Sequence, residues 1–306
     1  MLSRVANNIF WLGRYLERAE NTARIINVNA NLLLDLPKHI KLGWEPIVDI
    51  ISERDYFHQS YDLANEENVV NFMVGDLNNP SSISSALHAA RENARTIREI
   101  IPREAWEQIN SLYLFAKENK EQALSRRYRY GYLNKIILAN QTITGLLAGT
   151  MTHDEGYDFL RLGRNLERAD MTTRIIDVRS ASLLLNIENE QSAFDNIQWM
   201  SVLKTLSAYQ MYRRHMRIRI NRKDVLRFLF QEVKFPRSLN HALQQVEFCL
   251  AELPNSENVI SLVRSVKSQL MQVKPEMLEQ VKLHEFIDVI QQGINDIHNK
   301  TAETYF

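Results

Sequence analysis

Leu12-Gly-Arg-Tyr-Leu-Glu-Arg-Ala-Glu-Asn-Thr-Ala-Arg-Ile-Ile-Asn-Val28 returns 150 residues later as Leu162-Gly-Arg-Asn-Leu-Glu-Arg-Ala-Asp-Met-Thr-Thr-Arg-Ile-Ile-Asp-Val178. Twelve of the 17 positions are identical, which chance does not give in a chain without low-complexity bias. An internal repeat of this kind predicts the architecture before any element is assigned. The expectation is an all-α fold, a single helical domain over 1–306. It is built from two pseudo-repeated halves, about 1–151 and 152–306, around two long central helices, 3–35 and 154–186.

Placed on a helix at about 100° per residue, Arg14, Glu17, Asn21 and Arg24 fall within an arc of roughly 80°. Ile9, Leu12, Leu16, Ala19, Ala23 and Ile26 take the other side, while Phe10 and Ile25 project close to the charged strip. A charged strip flanked by apolar residues reads as partly buried, and buried charges must be paired. Glu17 has Arg14 and Arg24 as neighbours on its own helix, and Glu167 has Arg164 and Arg174. The pairs either lock the two copies in register or line a polar cleft for a ligand. In the second case Glu17 and Glu167 are the candidate catalytic acid/base groups, and the arginines the candidate clamps.

The remaining chain supports a helical body. Nine Gly and seven Pro offer little turn chemistry for a sheet, and hydrophobic residues at 45% suffice for a core. Lys+Arg and Asp+Glu both number 37, so no global field points at nucleic acid or a membrane. The single cysteine, Cys249, excludes an internal disulfide framework and fits a reducing cytoplasm. No signal peptide or membrane span is legible, and the reading is a soluble cytoplasmic protein.

In chain order, short helices are expected near 44–51 and 66–74. They lie in a segment, 42–87, with eight acids against Arg54 alone. Asn79-Pro-Ser-Ser82 opens a long helix to Ile101, with Ser81 or Ser82 as cap and Arg91 and Arg95 on one face. Helices follow over 103–119 and 122–151, and Asp154 caps the second central helix. A helix over 195–220 turns basic, with Arg213, Arg214, Arg217, Arg219, Arg222 and Lys223 available to pair with an acidic surface. Asp224–Gln231 is a short apolar helix. Phe235-Pro-Arg-Ser238 turns into the next helix with Ser238 as cap, and three helices complete the chain. Arg91 and Arg95 are expected as extra charges beside the repeated strips, with Arg237 at the rim. An arginine-rich setting of this kind suits a carboxylate or phosphate ligand, a peptide or an anionic small molecule, better than a cation.

Several chemistries are absent. No glycine-rich phosphate loop follows a strand, so no nucleotide cofactor is expected. No zinc spacing exists, and His284-Glu285 with Asp288 is the nearest approach to metal ligands; no metal is expected. No nucleophile elbow or Cys/His pair supports covalent catalysis.

The two Leu-Gly-Arg-x-Leu-Glu-Arg copies resemble the alpha-E family of bacterial proteins. So do Gly75…Asn79-Pro-Ser-Ser82, Ala90-Arg-Glu-Asn-Ala-Arg95 leading to Trp106-Glu107, and Phe228…Phe235-Pro-Arg-Ser238. The chain departs from that pattern at Met171, where the second copy usually carries Asn. The resemblance implies an all-helical fold and an association with circularly permuted ATP-grasp ligases, often alongside transglutaminase-like proteins. It therefore implies a part in making or modifying peptides through amide bonds. It transfers no catalytic residue. An accessory or substrate-binding partner of the ligase is the first expectation. An enzyme working at Glu17 and Glu167, or a scaffold only, are the alternatives.

Overall fold

The computed structural model describes residues 1–35, 43–51, 54–181, 191–216 and 219–306. Fifteen α-helices and no strand occur among the described residues. The first half holds α1 (Ser3–Asp35), α2 (Glu45–Ile50), α3 (Arg54–Ser60), α4 (Glu66–Val74), α5 (Ile83–Thr96), α6 (Arg103–Glu118), α7 (Lys120–Leu124) and α8 (Arg126–Thr150). The second holds α9 (Glu155–Ala181), α10 (Gln191–Thr205), α11 (Tyr209–Met216), α12 (Arg222–Gln231), α13 (Leu239–Ala251), α14 (Glu257–Gln272) and α15 (Gln280–Tyr305). None of these helices is long and apolar enough to cross a membrane.

The two helices that carry the repeated stretch, α1 and α9, form the most extensive helix–helix contact among the described residues. Their crossing point is set by glycine. A Cβ built on Gly13 would lie 2.3 Å from the Leu160 carbonyl oxygen, and one on Gly163 would lie 2.0 Å from the Phe10 carbonyl oxygen. Gly13 and Gly163 are equivalent positions of the two copies, and so are Phe10 and Leu160: each copy presents its glycine to the other's backbone. A side chain at either glycine would wedge the helices apart. Apolar residues of both copies seal the crossing, with Ile9, Leu12, Ala19, Ile26, Leu162, Ala169 and Ile176 all fully buried. Because neighbours pack on every side of α1, Phe10 and Ile25 are as buried as the apolar stripe.

Around this pair, α5 and α8 pack on α1, and α13 and α15 pack on α9. The turns that start α5 and α13 dock in matching ways. Ser82 caps α5 by accepting from the Ser85 N–H, and Ser238 caps α13 by accepting from the His241 N–H. One residue earlier, the Ser81 carbonyl accepts from the Thr22 hydroxyl, and the Arg237 carbonyl accepts from the Thr172 hydroxyl. Thr22 and Thr172 are again equivalent positions of the repeat. Asn79, fully buried, ties the first turn down by donating to the Phe72 carbonyl and accepting from the Ser81 N–H.

Several element boundaries differ from the sequence reading. The helix expected over 122–151 divides at Ser125 into α7 and α8, where Arg129 turns back to bond the Ala123 and Leu124 carbonyls. The helix expected over 195–220 divides at Ser207, which sits at φ 53°, into α10 and α11, and α11 ends at Met216, so Arg213 and Arg214 lie on α11 while Arg222 and Lys223 lie on α12. The helix opened by Ser82 ends at Thr96 rather than Ile101, and α3 was not anticipated. Arg217 and the end of the second central helix to residue 186 lie outside the described residues.

Gly13→Ala and Gly163→Ala are each expected to cost about 3 kcal/mol, because a methyl group meets backbone that has no rotamer to yield. Gly145 has nothing within 4 Å of its Cβ position. Gly145→Ala is therefore expected to stabilise the same protein by up to about 1 kcal/mol through helix propensity. Denaturant unfolding of the three variants measures the contrast.

Candidate functional site

With the α1 and α9 backbones in contact, the next turn of each helix faces the other across a short gap. The Glu-Arg dipeptide of each copy bridges it. Arg18 donates to both carboxylate oxygens of Glu167, Nε to Oε1 at 2.6 Å and Nη2 to Oε2 at 3.0 Å. Arg168 donates to both oxygens of Glu17, Nε to Oε1 at 3.1 Å and Nη2 to Oε2 at 2.7 Å. The two bidentate pairs are images of one another under the 150-residue shift. Glu17 is 3% exposed and Glu167 is 1% exposed, so neither pair is a surface ornament.

Each carboxylate also has a further cation, and here the two copies part. Glu167 receives Arg14 Nε at 2.8 Å on Oε2. Glu17 receives Arg237 Nη1 at 2.8 Å on Oε1, and Arg237 also reaches Asn21 Oδ1 at 2.7 Å and Glu20 Oε1 at 2.8 Å. Asn21 completes the cage by donating to Glu17 at 3.3 Å. Arg164, the counterpart of Arg14, is thereby kept off Glu17. Its buried Nε has no hydrogen-bond partner among the described residues, and burial lowers its pKa.

The pairing along each helix expected from the sequence is corrected. Arg14 serves the other copy's glutamate. Arg24 holds Glu20 through Nε and Nη2, and it reaches the Ser207 hydroxyl at 2.6 Å. Arg174 holds Asp170 at 2.9 Å. The reason is geometric: the glycine contact brings an opposing guanidinium close enough for two parallel bonds, which no residue on the same helix offers Glu17 or Glu167. Arg91 and Arg95 are also displaced from the expected place. Arg91 bonds Asn110 of α6 and Glu92 and lies over the Tyr113 ring, while the exposed Arg95 bonds only Glu92 of its own helix among the described residues. Arg237, expected at a rim, is buried at the centre.

Electrostatics follow from this arrangement. Burial alone would raise the Glu17 carboxyl, but Arg168 and Arg237 outweigh it and hold the group well below the usual carboxylate range. At Glu167 burial is likewise overcome, by Arg18 and Arg14, and the pKa falls to about 2. Both glutamates are therefore ionised, each held by two arginines, and without a proton to transfer. Cys249 is pushed up to about 12 by burial and is no thiolate nucleophile.

A polar cleft of 420 Å³ opens beside the braces, between α9 and α15, with Arg14, Asp170, Arg174, Asp288, Asn295 and His298 among its walls. Neither Glu17 nor Glu167 is part of its lining. Arg14 Nη1 donates to His298 Nδ1 at 3.2 Å, and its guanidinium lies 5.0 Å from the centre of the Trp11 ring. Burial and then Arg14 lower His298 to about 4, so the ring is neutral and accepts. At the far end of α15, His284 Nδ1 lies 2.8 Å from Asp177 and Nε2 lies 3.6 Å from Asp288. Asp177, His284 and Asp288 are near enough to one another to share a cation, yet both ring nitrogens already face carboxylates.

The sequence reading missed Arg18 and Arg168 although both stand inside the repeat. A single helical wheel turns them away from their neighbouring glutamates; the identity of the dipeptide in both copies was the available signal. Asn295 and His298 carried no signal, since only the fold brings α15 to α1 and α9.

Comparison with known proteins agrees with the helical reading. A family model described as a predicted alpha-helical domain with a conserved ER motif matches residues 1–306. The chain is similar to uncharacterized proteins of Mycobacterium bovis and Mycobacterium tuberculosis, each 20% identical over 329 residues. The match covers 98% of this chain and 36% of each relative, so the chain spans about a third of their length. No solved structure matches.

Glu17→Gln or Glu167→Gln leaves buried guanidinium groups uncompensated, and each is expected to cost about 3–5 kcal/mol. The native pKa of Glu167 lies below its ordinary value of 4.5, so its stabilisation is present above pH 4.5 and is lost as pH falls through about 2. That shift corresponds to about 3 kcal/mol from Glu167, and Glu17 adds in the same direction. Urea midpoints measured between pH 7 and pH 2 should fall in this window. They should fall less in Glu167→Gln, which has lost the titrating group.

Proposed function

The chain belongs to the Alpha-E family, and from that premise we propose that it serves as the accessory or substrate-binding partner of an ATP-grasp, amide-bond-forming system. The observation that carries the reading is the state of Glu17 and Glu167. A general acid needs a proton to give and a general base needs an open lone pair. Glu17 and Glu167 have no proton to give, and the two arginines that hold each one make its carboxylate a weak base by keeping its pKa far below neutral. The chemistry of amide formation then belongs to another protein, and the family resemblance points to a circularly permuted ATP-grasp ligase. A transglutaminase-like protein is the further component implied by the same resemblance. That the region matched in the mycobacterial relatives is 36% of a longer chain supports a module working with other parts.

The alternative of an enzyme acting through Glu17 and Glu167 requires an inactive but folded Glu→Gln protein. The buried braces favour instead a loss of function that tracks a loss of fold. The test is direct. A circularly permuted ATP-grasp ligase from the same source is assayed with and without the chain, and the rate of ADP release and peptide product are measured. Co-elution, with at least a tenfold change in product formation, is the expected result. A ligase that neither binds the chain nor changes in rate or product overturns the proposal.

A further inference from the structure

The repeated strips are not used equally, and the difference lies beside the cleft. Under the 150-residue shift Glu20 and Arg24 correspond to Asp170 and Arg174. Glu20 holds two cations, Arg24 from its own helix and Arg237 from the turn before α13. Asp170 accepts from Arg174 through Oδ2, and no second ion pair within 4 Å forms on it among the described residues. The place of Arg237 in the matching turn, Pro80-Ser81-Ser82, is taken by Ser81, whose short side chain carries no charge. Asn21, which orients Arg237, is replaced in the second copy by Met171. At the first copy the protein therefore supplies a second cation to the strip, from the turn before α13 in the other half of the chain. The second copy leaves its carboxylate in the wall of an open 420 Å³ cleft.

The opposite charge is present in the same cleft. Arg14 is anchored by Nε to Glu167 and by Nη1 to His298, and no other acceptor binds it among the described residues. Its Nη2 donors remain for a ligand. Asp288, on α15, adds a second carboxylate. Gln291 and Asn295 add side-chain amides, which both donate and accept as a peptide group does. A phosphate dianion would meet Asp170 and Asp288, and a simple cation would meet Arg14. A molecule with both charges satisfies both ends.

We propose that this cleft binds a zwitterion, a short peptide with free termini. Its ammonium group bonds Asp170 and Asp288, its carboxylate bonds Arg14, and its amide bonds Gln291 or Asn295. The inference rests on the partner reading above and names the class of substrate such a partner would hold. The volume lies in the range of small-molecule sites and admits a dipeptide.

Calorimetric titration of the full chain tests it, with alanyl-alanine, lysyl-alanine and glutamyl-alanine as probes, each also N-acetylated and C-amidated, and with inorganic phosphate. At least one free dipeptide is expected to bind, and blocking either terminus should weaken it tenfold or more. Phosphate should not compete. Asp170→Asn should weaken the free dipeptide tenfold and leave the N-acetylated form unchanged. Its folding should hold, because a rim i,i+4 pair contributes little to stability. Asn295→Leu, at an exposed position, is the second variant and should also weaken binding. Binding by none of the dipeptides, equal binding of the blocked forms, competition by phosphate, or wild-type binding in both variants overturns the inference. Ligase stimulation without dipeptide binding would remove this inference alone. Dipeptide binding by a chain that no ligase recognises would remove the partnership alone.

Discussion

Everything in the molecule hangs on the approach of α1 to α9, and that approach is a balance between sterics and charge. Gly13 and Gly163 let two backbones touch, which removes water from the turn that follows. Four ionic groups, Glu17, Arg18, Glu167 and Arg168, are taken out of solvent by that contact. Desolvating them costs several kcal/mol per ion, and only near-ideal geometry offsets it. The reciprocal bidentate bonds supply the geometry, and they exist only at this crossing and this register. A slide of either helix by one turn would bury four charges without partners. We read the braces as fixing which arrangement forms, more than as a large net contribution to stability.

The same logic accounts for the asymmetry between the copies. A carboxylate braced by one arginine still has room for a second donor. At Glu17 that donor is Arg237, delivered by the turn that starts α13, with Asn21 and Glu20 closing the cage. At Glu167 the donor is Arg14, which the neutral ring of His298 steadies from α15. Arg164 is left over as a consequence, a cation whose neighbour has been taken. Symmetric sequence thus gives an asymmetric pair of sites, one closed by the protein itself and one beside an open cleft.

Much of the fold could be read from residues alone. The repeat announced the two central helices, and Asn79-Pro-Ser-Ser82 and Phe235-Pro-Arg-Ser238 marked the starts of α5 and α13 through local capping chemistry. The strips were correctly read as buried and paired. What failed was the choice of partners, because a helical wheel describes one helix and these bonds exchange between two. Arg91 and Arg95 failed for a related reason: Arg91 turns to α6 and Arg95 stays exposed beside Glu92, which no periodicity reveals. The breaks at Ser125 and Ser207 sit in segments with no glycine or proline to announce them. His298 and Asn295 were invisible, since nothing in α15 encodes what it will pack against.

The central claim is that the two Glu-Arg dipeptides act across the helix pair and not along it. A double-mutant cycle on Arg18 and Glu167, with Arg18→Met, Glu167→Gln and the double variant compared by denaturant unfolding at pH 7, measures it most directly. The account predicts a coupling of about 2–3 kcal/mol, with an Arg14→Met/Glu17→Gln cycle near zero. Effects of Arg18 and Glu167 that add to within about 0.5 kcal/mol, or a larger coupling in the Arg14/Glu17 cycle, would contradict it.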